Sequence, residues 1–166
     1  MTPTIRTETI EDIPGIYAVV RAAFARPGEA ELVVALRRAN ALVVSAVATV
    51  GSRIVGHVAF SPVRIDDYSA LALAPVAVEP EFQRQGIGAA LIRWGLDECR
   101  RLGYGIVIVL GEPTYYGRFG FTSASQFGID CPFPVPSEAF MVLELWSDAA
   151  AGRRGMVRYR PEFELV

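Results

Sequence analysis

The chain has 166 residues, and its 16 Lys and Arg against 18 Asp and Glu give a formal net charge of −2. Nucleic-acid binders usually carry a basic excess, because neutralising phosphates supplies much of their affinity, so this balance argues against a nucleic-acid partner. The longest uncharged stretch, residues 39–52, falls short of the roughly 20 apolar residues of a membrane helix, and no signal-peptide pattern precedes it, so we expect a cytoplasmic protein without a membrane partner.

The first half of the chain predicts two helices and three strands. No repeat, low-complexity segment or linker interrupts the sequence, so we expect a single domain over residues 1–166. In chain order the predicted elements are a strand over 4–8, a helix from Thr9 to about Phe24, a helix over 29–39, and strands over 42–50 and 53–65. Gly51-Ser52 separates the last two strands by the spacing of a hairpin.

The second half predicts a β-α-β crossover. A strand over 71–79 contains Pro75, an amphipathic helix follows over 86–102, and residues 106–110 form an aliphatic run typical of a strand buried on both faces. Such a unit is expected to be parallel and right-handed. Apolar segments over 140–146 and 156–160 indicate antiparallel strands of the same sheet, which helices would cover.

The run Gln83-Arg84-Gln85-Gly86-Ile87-Gly88 lies between a strand and a helix. Amides at a helix N-terminus lack intrahelical acceptors and favour anions, and glycines let a diphosphate approach the backbone. No Lys-Ser or Lys-Thr follows the glycines, which excludes a P-loop, and Leu91 stands where a dinucleotide fingerprint has its third Gly or Ala. The run predicts an anion-binding loop, and the alternative is a glycine-containing turn before a surface helix.

Pro75 indicates an irregularity in its strand. A proline cannot donate to a sheet ladder and usually marks an edge or a bulge. A bulge here could separate two parallel strands and expose main-chain groups, with which an extended ligand containing amides could pair. Pantetheine has such amides, and its diphosphate would reach the loop over 83–88.

These residues resemble a known family. Gln83-Arg84-Gln85-Gly86-Ile87-Gly88 is similar to the Gln/Arg-x-x-Gly-x-Gly/Ala motif of the GNAT superfamily of acetyl-CoA-dependent N-acetyltransferases, and residues 109–121, with Tyr115-Tyr116 and Phe119-Gly120-Phe121, resemble its YhbS-like subgroup. The resemblance implies the α+β GNAT fold. This is a mixed, mostly antiparallel sheet with one parallel, splayed pair, flanked by helices in a three-layer α/β/α sandwich.

The resemblance also implies which residues bind acetyl-CoA. The segment Val76, Ala77 and Val78 would pair with pantetheine through its backbone, and the diphosphate would be held by Gln83, Arg84, Gln85, Gly86, Ile87, Gly88 and Ala89. Tyr116, with Phe119 beside it, would lie near the thioester sulfur. A tyrosine of pKa about 10 is a reasonable proton donor to a leaving thiolate of pKa about 8.5. The alternative for Tyr115 and Tyr116 is aromatic packing at a helix start.

The general base has no obvious candidate on the central strand, because residues 71–78 contain no ionisable side chain. Glu112, at the end of the next strand, is nominated as the base, which would take the amine's proton directly or through a water molecule. The alternative for Glu112 is a charge at a helix start. His57, within a predicted strand, is expected to be a hydrogen-bonded strand residue rather than a catalyst.

The function expected from the resemblance is transfer of an acetyl group from acetyl-CoA to a primary amine of an unidentified small molecule or peptide, by direct attack in a ternary complex. The Val78 amide would polarise the thioester carbonyl. The alternative is a non-catalytic acyl-CoA-binding sensor. The chain's two Cys and one His are not in metal-ligand spacing, so we expect no metal, and the C-terminal strands could pair across a homodimer.

Overall fold

The computed structural model describes residues 2–166, which contain nine β-strands and four α-helices. In chain order they are β1 (Thr4–Thr7), α1 (Ile13–Ala23), α2 (Gly28–Arg38), β2 (Val44–Val50), β3 (Arg53–Ile65), β4 (Tyr68–Val78), α3 (Ile87–Arg101), β5 (Ile106–Leu110), α4 (Pro113–Gly117), β6 (Thr122–Ser123), β7 (Ile129–Asp130), β8 (Phe140–Glu144) and β9 (Gly155–Arg158). They form a mixed, mostly antiparallel sheet flanked by helices, as expected. The chain divides into two compact units, of residues 2–61, 74–98 and 161–166 and of residues 62–73 and 99–160.

In the first unit, β2 pairs antiparallel with β1 and with β3. The apolar stripes of α1 and α2 face a common core, because their buried residues recur at helical spacing. This core contains Ile16, Val19 and Val20 of α1, Ala30 and Val33 of α2, Val47 of β2 and Ala77 of β4.

Two glycines bring α3 close to β3 in this unit. A Cβ placed on Gly56 would lie 2.8 Å from Leu91 Cδ1, and one on Gly95 would overlap the Phe60 ring. Neither position has room for a side chain, so the close packing of α3 on β3 depends on both glycines. This packing fixes the start of α3 relative to the strand.

The second unit contains the parallel pair. Its β4 and β5 pair in parallel, Leu71 with Val107 and Ala72 with Ile108, and this register ends before the Ala74–Pro75 peptide, which is cis. On its other side β5 pairs antiparallel with β8, which also pairs with β6. A two-residue parallel pairing joins β7 to β9, and β9 pairs with the end of β3. The expected parallel crossover is confirmed.

Several predicted boundaries need correction. The helix predicted from Thr9 is a 3-10 turn (Ile10–Asp12) followed by α1, because Asp12 N donates to Thr9 O at 3.0 Å, three residues back, and the Asp12 carboxylate caps Thr9 N at 2.7 Å. A tight turn places the start of β4 at Tyr68 rather than at residue 71. Between residues 110 and 140 the sequence indicates only a helix start near Glu112, which is present as α4, and the strands β6 and β7 were not predicted.

Candidate functional site

The predicted anion-binding loop connects a 3-10 turn (Pro80–Phe82) to α3 in the first unit. Arg84 has a φ of 64° and Gly86 a φ of 85°, so both lie in the left-handed region. Residues 83–86 are all exposed, and a Cβ placed on Gly86 would meet nothing within 4 Å. Left-handed residues in a short loop are typical of backbone concavities that bind anions.

The amides of this loop continue into the first turn of α3. The first helical hydrogen bond runs from Ala90 N to Gly86 O at 3.0 Å, so the amides of Ile87, Gly88 and Ala89 precede the helical ladder. They lie at the positive end of the dipole of a 15-residue helix. This geometry favours an anion at the loop.

Two glutamine side chains brace the loop. Gln83 Nε2 donates to Val78 O at 3.0 Å, and Gln85 Nε2 donates to Glu81 O at 3.5 Å. We expected both side chains among the groups that hold the diphosphate. One amide hydrogen of each points at the main chain and braces the loop, and their role in binding stays a prediction.

The end of β4 offers main-chain groups for pairing. Glu79 N donates to Val55 O of β3 at 2.8 Å. Main-chain groups of successive strand residues point to opposite sides, so those of Ala77 also face β3 and those of Val76 and Val78 face away from it. The carbonyl of Ala77 agrees, since it lies 3.2 Å from a Cβ placed on Gly56. Pairing with an extended ligand requires this orientation of Val76 and Val78.

Tyr116 lies in α4 of the second unit, within an aromatic cluster. Its ring centroid is 5.0 Å from that of Tyr115, 5.8 Å from that of Phe121 and 6.3 Å from that of Phe119. A Cβ placed on Gly111 would overlap the Tyr116 ring, so the ring packs directly against the backbone at that glycine. The aromatic packing expected as the alternative for Tyr116 is therefore present.

Burial raises the pKa of Tyr116 to about 12, and the neighbouring Tyr115 adds to the shift. Removing the phenol from water disfavours its charged form. The hydroxyl therefore stays protonated at neutral pH and can donate a proton or a hydrogen bond.

Glu112 caps the N-terminus of α4. Its Oε2 accepts a hydrogen bond from Tyr115 N at 2.7 Å and its Oε1 one from Thr114 N at 3.1 Å. These two backbone hydrogen bonds lower the pKa of the Glu112 carboxyl, because they stabilise its charged form. The helix-start charge expected as the alternative is thus observed, and the role of general base stays a prediction.

A buried polar chain in the first unit was not predicted. Arg37 of α2 donates two hydrogen bonds to Glu8 at 2.9 and 3.2 Å, the Ser45 hydroxyl donates to Glu8 Oε1, and Ser45 Oγ lies 2.8 Å from His57 Nε2. Because Ser45 has one proton and gives it to the carboxylate, His57 must donate through Nε2, and its Nδ1 finds no partner among the described residues. His57 is fully buried, which lowers its pKa to about 3. Only the register of β2 and β3 brings Ser45 near His57, and the sequence does not give that register.

Within residues 2–166, no three or more His, Cys, Asp and Glu side chains are grouped as metal ligands. No helix in the same range has the length and apolar character needed to cross a membrane.

Comparison with known proteins identifies relatives along almost the whole chain. The acetyltransferase (GNAT) domain matches residues 4–124. YhbS of Escherichia coli (strain K12), described as an uncharacterized N-acetyltransferase, is 39% identical over 162 residues, or 96% of this chain and 97% of YhbS. A second such protein of this strain, YjhQ, is 37% identical over 134 residues, or 76% of this chain and 74% of YjhQ.

Solved structures show the same likeness. The crystal structure of Escherichia coli YhbS in complex with CoA superimposes with a TM-score of 0.95 at 37% identity, covering 99% of this chain and 93% of that one. A GNAT family acetyltransferase from Brucella melitensis in complex with acetyl-CoA gives a TM-score of 0.82 at 36% identity, covering 97% of both chains.

Proposed function

Because the chain belongs to the GNAT family of acetyltransferases, as its motifs predicted, we propose that it transfers the acetyl group of acetyl-CoA to a primary amine of a small molecule or peptide. The observation that carries the proposal is the exposed loop of left-handed residues and helix-start amides over residues 83–89. Similar proteins that contain CoA or acetyl-CoA support it.

The residues of the first unit fit CoA. Gly86 leaves open space above the loop, and the helix-start amides can donate to a diphosphate. Val76 and Val78 turn their main-chain groups away from β3, so they can pair with the amides of pantetheine. Acetyl-CoA supplies the acetyl group as an activated thioester, and the chain's part is to hold and orient it.

Tyr116 is proposed as the proton donor. The amine nitrogen forms a bond to the thioester carbonyl carbon, the carbon–sulfur bond breaks, and the sulfur takes the proton of the Tyr116 hydroxyl. The Val78 N–H stabilises the negative charge that develops on the carbonyl oxygen. The pKa of Tyr116, about 12, lies above that of a thiol in water, about 8.5. A thiolate leaving group next to the Tyr116 ring would lose water as well, which raises the pKa of its thiol in the same direction.

The amine must lose a proton, and Glu112 is the candidate base. Its lowered pKa makes it a weaker base than an ordinary carboxylate, and both of its oxygens already accept amide hydrogen bonds. Glu112→Gln separates the two roles, since the amide oxygen can still cap α4. A base role predicts a lower kcat at neutral pH that recovers at pH values where the amine is already neutral. An unchanged pH profile would leave Glu112 as a cap alone.

The absence of an ionisable side chain from residues 71–78 favours a second candidate, a sensor that binds acyl-CoA without transferring the acyl group. Release of free thiol from acetyl-CoA, measured against a panel of diamines, amino-acid amides and peptides with free N-termini, distinguishes the two. Calorimetry with CoA runs in parallel. The proposal expects binding together with amine-dependent thiol release. Binding without release across the panel would indicate the sensor, and no binding would overturn both.

A further inference from the structure

Arg53, the first residue of β3, contacts the turn that leads into the candidate CoA loop. Its Nη2 forms an ion pair with Glu81 Oε1 and lies 3.9 Å from Glu79 Oε1. Its guanidinium carbon lies 5.2 Å from the centroid of the Phe82 ring, within the range of a cation–π contact. One arginine therefore touches three of the four residues that precede Gln83.

Those three residues belong to a hydrogen-bonded segment. Phe82 N donates to Glu79 O at 2.8 Å, and Glu79 N donates to Val55 O of β3 at the same distance. Gln85 Nε2 reaches Glu81 O at 3.5 Å, so the segment is also tied to the loop itself. A change in the Arg53 contacts would reach the loop through this segment.

Glu79 and Glu81 place two carboxylates immediately before a loop proposed to bind a diphosphate. Like charges at short range oppose binding, and the effect is strongest at low ionic strength. The chain contains no Lys, and among residues 2–166 the arginine within the loop, Arg84, forms an ion pair with neither carboxylate. The cation observed against both carboxylates is Arg53.

We propose that Arg53 is a positioning residue for CoA binding, which offsets half of the negative charge of Glu79 and Glu81 and holds both carboxylates away from the anion. The proposal rests on the proposed function, since it needs CoA at the loop. Arg53 acts through the two glutamates and does not touch the ligand.

The exposure of these side chains determines whether the loss of Arg53 changes folding stability or CoA binding. The side chains of Arg53 and Glu81 are 52% and 61% exposed, and such surface pairs contribute little to folding. Loss of Arg53 should therefore leave the melting temperature nearly unchanged and weaken CoA binding. Three charges close to a multiply charged ligand predict a change of about 3- to 10-fold in Kd at low salt, shrinking as salt rises.

Calorimetry with CoA at low and high salt tests this on the full chain. Arg53→Ala should raise the Kd by that factor, Arg53→Lys should keep most of the affinity, and kcat at saturating acetyl-CoA should not change. Arg64→Ala is the matched control, because Arg64 is an exposed arginine at the other end of β3 and its loss changes the net charge equally. Its Kd should stay close to that of the wild type.

The decisive variant is Arg53→Ala combined with Glu79→Gln and Glu81→Gln. If the role of Arg53 is to offset the charge of these carboxylates, the triple variant binds CoA at least as tightly as the wild type, since no carboxylate remains to repel it. A triple variant as weak as Arg53→Ala would indicate direct contact between Arg53 and the ligand and would overturn the proposal. An unchanged Kd in Arg53→Ala would do the same. Failure of the wild type to bind CoA would instead refute the proposed function.

Discussion

The loop over residues 83–89 and the segment from Glu112 to Phe121 are built in opposite ways. The loop presents main-chain amides, its first four residues are exposed, and its glutamine side chains turn back to brace it. The segment over residues 112–121, called the Tyr116 segment below, presents the Tyr116 side chain, which packs among aromatic rings and against the backbone of Gly111. In the proposed function, the loop depends on its backbone conformation and the Tyr116 segment depends on the packing of one side chain.

This difference predicts which substitutions each region tolerates. A site made of amides is insensitive to most side-chain changes and sensitive to any residue that cannot adopt its φ angles. A site made of one packed side chain is sensitive to the loss of a single polar atom, and to overpacking nearby. Binding and turnover should therefore separate between the two regions.

Tyr116→Phe should give the largest effect. It removes the hydroxyl and keeps the ring, so kcat should fall about 100-fold or more while the Kd for acetyl-CoA stays within about twofold. Steady-state kinetics and calorimetry measure the two quantities. An equal loss in both would mean that Tyr116 contributes to binding and would remove the contrast between the regions.

Gly86→Val should affect binding rather than turnover. The left-handed backbone at φ 85° costs a residue with a side chain about 1–2 kcal/mol, and valine more, so the Kd for CoA should rise about 10-fold or more. Gly103→Val is the matched control, because Gly103 has a φ of 91° and equally open surroundings. If both variants weaken CoA binding alike, the loop's conformation is not specific to the ligand.

Gly111→Ala should disturb the Tyr116 segment alone. The added methyl overlaps the Tyr116 ring, and overpacking of this kind costs about 1–3 kcal/mol, so kcat should fall several-fold and the melting temperature should drop. Gly117→Ala is the control, because Gly117 follows Tyr116 in α4 and an added Cβ there would meet nothing within 4 Å, so this variant should be neutral. A weaker Kd for CoA in Gly111→Ala with normal kcat would contradict the division of roles.

His57 should give the smallest effect at neutral pH, and its effect on stability in the first unit should appear as the pH falls. Its pKa is about 3 in the folded chain against about 6.5 unfolded, so the unfolded chain binds one more proton between these values and stability falls as pH falls. Relative to His57→Gln, the wild type should lose about 2 kcal/mol of unfolding free energy between pH 8 and pH 5. Chemical denaturation at several pH values measures this. Parallel curves for the two proteins would show that His57 does not titrate as described.

The sequence predicts best where local pattern and turn chemistry agree. The bounds of β3 and β5 match the prediction, because a two-residue turn fixes the start of one and a continuous aliphatic run defines the other. α3 begins and ends within one residue of its predicted bounds, since Gly86 and Gly103 mark them. The position of the loop before α3 was predicted for the same reason, and its binding of an anion stays a prediction.

Other features depend on contacts that only folding creates. The hydrogen bonds from Arg37 to His57 join residues of α2, β2 and β3 through Glu8, which follows β1, and no spacing in the sequence indicates them. Glu112 before a proline fits a cap or a base equally well until the two amide hydrogen bonds are seen. The sequence around Arg53 indicates only the start of a strand, because its contact partners lie 26 to 29 positions later in the chain.

The helix-start amides of Ile87, Gly88 and Ala89 cannot distinguish acetyl-CoA from free CoA. The diphosphate, which they are proposed to bind, is unchanged by the reaction. The released product would therefore compete with fresh acetyl-CoA for the same amides. When the two ligands together saturate the site, the rate follows the ratio of acetyl-CoA to free CoA rather than the amount of either. On this proposal, product inhibition is a consequence of how the loop binds its ligand.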